Sequence, residues 1–137
     1  MFTASINWLA IVVATIVHMV IGAVWYSKGL FGKQWMQAMG LKDSDMKDKS
    51  KVGPIYFFTL VATLVMVYIL AHFILYAGEK TAMGGAKIAF WAWLGFVATK
   101  SLVDTLFENK NWTLYYISMG YMLVGMLAMG AILGGWH

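Results

Sequence analysis

From Asn111 to Trp136 the chain reads NWTLYYISMGYMLVGMLAMGAILGGW, with no charged side chain anywhere in it. An α-helix rises about 1.5 Å per residue, so about 20 apolar residues cross a hydrocarbon layer about 30 Å thick. This stretch exceeds that length, and no proline interrupts it. It reads as a membrane-spanning helix, and the rest of the chain can be searched for others like it.

Charges divide the remaining sequence into three more apolar blocks. None occurs before Lys28 and none between Lys51 and Glu79; a further block runs from about Gly84 to Phe107 and contains Lys100 and Asp104. The spacing predicts helices over residues 6–27, 54–77, 84–107 and 112–136, packed as one transmembrane domain over residues 1–137. The fold class is all-α, an integral membrane four-helix bundle. Composition agrees: the chain is 61% hydrophobic and 12% charged, with a mean hydropathy of +0.72. Soluble domains are about 45–50% apolar and about 25% charged. The first block lacks a positively charged lead and is longer than a signal-peptide core, so it is expected to stay attached as the first helix.

The one long connection, residues 28–53, holds Lys28, Lys33, Lys42, Lys47, Lys49 and Lys51 against Asp43, Asp45 and Asp48. In its front half Phe31, Trp35 and Met39 fall four apart, which aligns them on one helical face. That pattern predicts a short helix lying in the membrane interface. The lysine- and aspartate-rich back half reads as a solvated loop, and Gly53-Pro54 as the start of the second spanning helix, where proline's missing N–H costs little. Lys110 falls on the same side as this loop, whereas Lys80 and Lys87 fall on the other. Lysine excess marks the cytoplasmic side. The expected location is therefore the cell inner membrane, with loop 28–53 in the cytoplasm and both termini outside it. Trp25, Tyr26, Tyr56, Trp112, Tyr115 and Tyr116 would belt the inner interface, and Trp8, Tyr76 and Trp136 the outer one. The net charge of +4 is directed by this layout at membrane lipids rather than nucleic acid.

Few residues suggest chemistry. His18 lies mid-helix on a stripe of Asn7, Ile11, Ala14, Gly22 and Trp25, whose small and polar members suit a face turned toward other helices. An ionisable residue at that depth is a functional-site candidate; a neutral histidine bonded to a neighbouring helix is the structural alternative. Lys100 and Asp104 share a helix face and can pair, and a His18–Lys100–Asp104 cluster is geometrically feasible if their helices touch. Alternatively, Lys100 snorkels to the headgroups. His72 reads as a wet histidine near the interface. On the last helix Gly125, Gly130 and Gly134 mark close helix packing, within one chain or between chains. The absence of cysteine removes thiolate chemistry. Scattered histidines and methionines predict no metal, and no phosphate-loop, zincin or hydrolase motif occurs. No cofactor and no enzymatic activity are expected.

Several segments together resemble a known family. They are Asn7-Trp8-Leu9-Ala10, Gly22-Ala23-Val24-Trp25-Tyr26-Ser27, Leu30-Phe31-Gly32-Lys33-Gln34-Trp35, Leu106-Phe107-Glu108 through Trp112, Gly120-Tyr121 and Met129-Gly130-Ala131-Ile132-Leu133-Gly134. They are similar to the bacterial membrane family known as domain of unknown function 1761. The resemblance covers nearly the whole chain, although Lys28 stands where the family usually has proline. It implies a four-helix membrane protein and carries no catalytic residues across.

Two functional expectations follow. The first is a small channel or transporter-like protein, homo-oligomeric because one chain this short leaves little room for a path, with the last helix as a surface between copies. The alternative is a non-transporting accessory or scaffold subunit that binds a membrane-protein partner.

Overall fold

The computed structural model describes residues 6–27, 29–39, 49–109 and 111–136. Its helices are α1 (Trp8–Trp25), α2 (Gly32–Met39), α3 (Lys49–Tyr76), α4 (Ala82–Phe107) and α5 (Trp112–Gly135), and no strand occurs among the described residues. Trp8–Trp25, Gly53–Tyr76, Ala82–Phe107 and Trp112–Gly135 are each long and apolar enough to cross a membrane. The chain is an all-α membrane protein, and its described residues form four spanning helices and one short one.

Polar residues set the helix ends. Asn7 precedes α1 and its Oδ1 accepts the Ala10 N–H at 3.1 Å. Thr81 and Asn111 do the same for Gly84 and Thr113, at the starts of α4 and α5. Each such cap satisfies an N–H that the helix leaves free. The turn after α3 closes through Gly78, with φ of +76°. The Gly78 N–H bonds Leu75 O and the Glu79 N–H bonds Ile74 O, the paired pattern of a Schellman ending.

The second spanning helix begins earlier than the sequence suggests. It starts at Lys49, so Gly53-Pro54 lies inside it, and the last residues of the expected loop are helical. Pro54 is the sixth residue of that helix, past the first turn, so the helix forgoes one intrahelical hydrogen bond there for want of an N–H. The expected solvated stretch over residues 40–48 lies outside the described residues. The short helix is present, but its aromatic face turns onto α1. Phe31 packs on Trp25 with ring centroids 4.9 Å apart, and Trp35 meets Tyr26 edge-on at 5.7 Å.

Neighbouring spanning helices run antiparallel, as residue pairing shows. The Asn7 amide donates to the Trp136 carbonyl at one end of the α1–α5 pair, and the Trp25 indole to the Ile117 carbonyl at the other. Both described chain ends therefore lie at one end of the bundle, and α2 at the opposite end. Helix α5 is central, burying Ile117, Met119, Met126, Met129 and Leu133 against its neighbours. The core also takes Ile11 and Ala14 of α1, Val67, Leu70 and Ile74 of α3, and Ala89 of α4.

Closest approach is between α4 and α5. A methyl on Gly85 would run into the Gly130 carbonyl, and one on Gly134 into the Thr81 carbonyl. Gly130 and Gly134 thus serve contact inside the chain. Their side of α5 is occupied by α4, so of the two contacts the sequence left open, within one chain or between chains, the structure shows the first. Helix α4 keeps its grip on α5 through a π-turn over Trp93–Ala98. Gly85, Ala89 and Trp93 follow at intervals of four; the extra residue of the π-turn then brings Ala98 and Thr105 back to the buried side.

The outward faces are oily. Val12, Ile16, Val20 and Val24 line the exposed side of α1, and Phe96 on α4 is 72% exposed. From Gly53 to Ala62 every residue of α3 is exposed, so this helix joins the bundle only from Thr63 onward. Apolar exposure on this scale is foreign to a water-soluble monomer and normal against lipid.

Candidate functional site

His18 is 3% exposed and sits on the α1 stripe with Ile11 and Ala14, facing α5. The ring stacks on Tyr121 with centroids 4.8 Å apart, and Nε2 lies 2.8 Å from the Tyr121 Oη. That hydroxyl also approaches the His18 carbonyl at 3.4 Å. The other ring nitrogen, Nδ1, is buried and makes no hydrogen bond among the described residues. It faces Gly125, where a methyl would collide with it.

Two glycines make this fit. A methyl on Gly22 of α1 would come 2.9 Å from the Tyr121 hydroxyl, and Gly125 of α5 clears the space for His18. Each helix thus presents a ring followed one turn later by a glycine, His18 with Gly22 and Tyr121 with Gly125. Antiparallel pairing seats each ring over the other helix's glycine.

Toward the α2 end, Tyr26 meets Tyr121 edge-on at 5.4 Å and hydrogen-bonds Ser118. Trp25 Nε1 donates to the Ile117 carbonyl at 3.0 Å, its ring resting over Gly120. Trp35 of α2 closes on Tyr26. Gly32 is required at the turn, because a methyl there would press on the Tyr26 and Ser27 carbonyls. The result is a column of rings, His18, Tyr121, Tyr26 and Trp35, from the bundle interior to the short helix. Asn109, with φ of 51°, turns the chain between α4 and α5 and so brings Tyr121 back past α1.

The segments Gly22–Ser27, Leu30–Trp35 and Gly120-Tyr121 therefore converge on one end of the α1–α5 interface. Residues 9–134 match the family described as "Protein of unknown function (DUF1761)". The chain belongs to that family. No curated protein and no solved structure matches it. The family match takes in His18, Lys100, Asp104, Gly125, Gly130 and Gly134.

The structure keeps His18 apart from Lys100 and Asp104, which pair with each other. Lys100 lies two residues past buried Ala98, on the opposite side of α4, and its side chain is 71% exposed. Its amine pairs with Asp104 Oδ1 at 2.5 Å, one turn on. The reason is the face that α4 turns inward: Gly85, Ala89, Trp93, Ala98 and Thr105 meet α5, which leaves Lys100 outside. His18 instead takes its partners from α1 and α5 alone.

His72 departs from the expectation of a wet histidine near the interface. It is 1% exposed, not wet, and its Nδ1 donates to the Tyr68 carbonyl at 2.8 Å. Tyr68 and Tyr76 flank the ring, with centroids 4.5 and 6.0 Å away. Among the described residues no group of three His, Cys, Asp or Glu could hold a metal ion. The residue that sequence reasoning missed is Tyr121. Its signal was the ring-x-x-x-Gly pattern shared by His18–Gly22 and Tyr121–Gly125.

Proposed function

We propose that this protein is a small transporter- or channel-like membrane protein, working as a homo-oligomer in the cell inner membrane, with His18 as its working polar group. The observation that carries the reading is the His18 imidazole, held in the bundle interior against Tyr121 with one nitrogen unbonded. Ionisable side chains within spanning helices are expensive and mark ion and proton pathways. Filling the hole over Gly125 needs no imidazole, since an apolar side chain would pack there without a polar atom to satisfy.

An oligomer is part of the proposal because the spanning helices leave little room between them. The cleft between α1, α3 and α5 near Asn7 and Trp136 measures about 40 Å³, space for about three waters. The exposed faces of α1 and α3 supply surface for further copies, and the outward Lys100–Asp104 pair supplies polar lining at such a seam. The reading assigns no catalysis and no bound cofactor. Lysine placement supports an orientation with α2 on the cytoplasmic side.

Purified protein in sealed vesicles tests this. An imposed pH or salt gradient should collapse faster than in protein-free vesicles, and His18→Leu should slow that collapse toward the protein-free rate, as loss of a pathway group implies. Vesicles that stay tight overturn the proposal. If native membranes then yield a constant crosslinked partner, the accessory-subunit reading takes its place, with the all-round exposed stretch Gly53–Ala62 as its docking surface.

A further inference from the structure

The surroundings of His18 are compatible with a neutral ring and poorly suited to a charged one. A neutral imidazole has one N–H and one lone pair; an imidazolium has two N–H groups and needs two acceptors. Tyr121 Oη, 2.8 Å from Nε2, can be one of them. The second N–H would point from Nδ1 at Gly125, within α5 (Trp112–Gly135). Helical carbonyls of α5 do take a second donor elsewhere, as Ile117 and Met119 do, but no acceptor lies within hydrogen-bond reach of Nδ1, and glycine has no side chain to offer one.

No charge stands by to compensate. Helix α5 carries no Asp, Glu, Lys or Arg, and its tyrosines apart from Tyr121 look elsewhere. Tyr115 donates to the Ala98 carbonyl and Tyr116 is 68% exposed. From Gly53 onward the titratable side chains of α3 are Tyr56, which is 59% exposed, and Tyr68, His72 and Tyr76, which cluster with one another near Trp8. Thr63, on the α3 face toward α1, donates to the Thr59 carbonyl. Tyr26 of the α1 end faces Tyr121, not His18, and Lys33 of α2 is exposed. The nearest source of an acceptor for Nδ1 is water, which reaches it only if α1 and α5 part.

We infer that proton uptake by His18 separates α1 from α5 at the α2 end of the bundle, which makes this interface a pH-operated switch. The step is simple addition of a solvent proton to Nδ1 or Nε2. Separation is favoured at that end because α3 leaves α1 uncovered there, packing only from Thr63 onward. The inference rests on the proposed function in giving His18 a working role, and adds the regulation of that same residue.

The chain has no cysteine, so labels can be placed at will. Val20→Cys on α1 and Val124→Cys on α5, both exposed positions, would carry a spin-label pair on the protein in lipid nanodiscs. Between about pH 8 and pH 5, the span over which an ordinary imidazole takes its proton, the distance should lengthen by about 2 Å or more, the scale of known helix shifts. His18→Gln should hold the pair fixed. An unmoved pair with His18 present, or an equal movement without it, overturns the switch. If His18→Gln does not fold, ring ¹⁵N spectra of the histidine-intact protein decide instead: a distance change while His18 stays neutral also overturns it. Movement without gradient collapse counts against the transport reading alone, and collapse without movement against the switch alone.

Discussion

At the scale of single residues, the His18–Tyr121 pair shows how small side chains create a polar site. Hydrogen bonds between spanning helices average about 0.6 kcal/mol, because the unfolded chain in lipid also finds partners. The bond between these rings is therefore a modest anchor, and shape does the rest. Gly125→Ala puts a methyl into His18 Nδ1 and should destabilise the protein by about 1–3 kcal/mol, as overpacking does. With His18→Ala already present, the same change should cost little. Reversible unfolding in mixed micelles, followed by circular dichroism, measures all corners of this cycle. Coupling below about 0.5 kcal/mol would show that ring and glycine do not oppose each other as described.

Between elements, the decisive contact is backbone against backbone. Gly85 lies against Gly130 and Gly134 with no side chain between the helices, so α4 and α5 gain dispersion contacts where their backbones meet. Lipid tails are as apolar as leucine, so close packing of this kind, and not escape from water, drives such association. Gly130→Leu should therefore cost about 3 kcal/mol, the upper end of the overpacking range, and lower the unfolding midpoint of the isolated chain. Phe96→Leu, on the exposed face of α4, should change it by about 0.5 kcal/mol at most. If Gly130→Leu left folding intact and only split oligomers, the contact would belong between copies after all.

For the whole molecule, both described ends lie beside each other, as the Asn7–Trp136 bond shows. An even number of crossings puts both ends on one side of the membrane, and the pairing of α1 with α5 puts them side by side. The proposed orientation puts that end outside the cytoplasm. A reporter active only outside the cytoplasm, fused after residue 137, should give signal, and a cytoplasm-only reporter should not. The reverse pattern would invert the assignment and leave the bundle itself untouched.

Much of this architecture was legible in the chain alone, for a physical reason. A spanning segment must satisfy its own backbone within the helix, so long uncharged runs such as 112–136 announce themselves without reference to any neighbour. The buried stripe of α1 was equally readable, since Ile11, Ala14 and His18 repeat at helical intervals. Partnership was not. Whether Gly130 meets its own chain or another, whether Lys100 faces His18 or lipid, and which ring answers His18 depend on how helices rotate against one another. A single added residue in the π-turn of α4 resets that rotation, and no local pattern records it. Sequence determined that the chain crosses the membrane and where; only tertiary packing decided which polar groups meet inside it, because contacts between helices are fixed by rotation and distance rather than by periodicity.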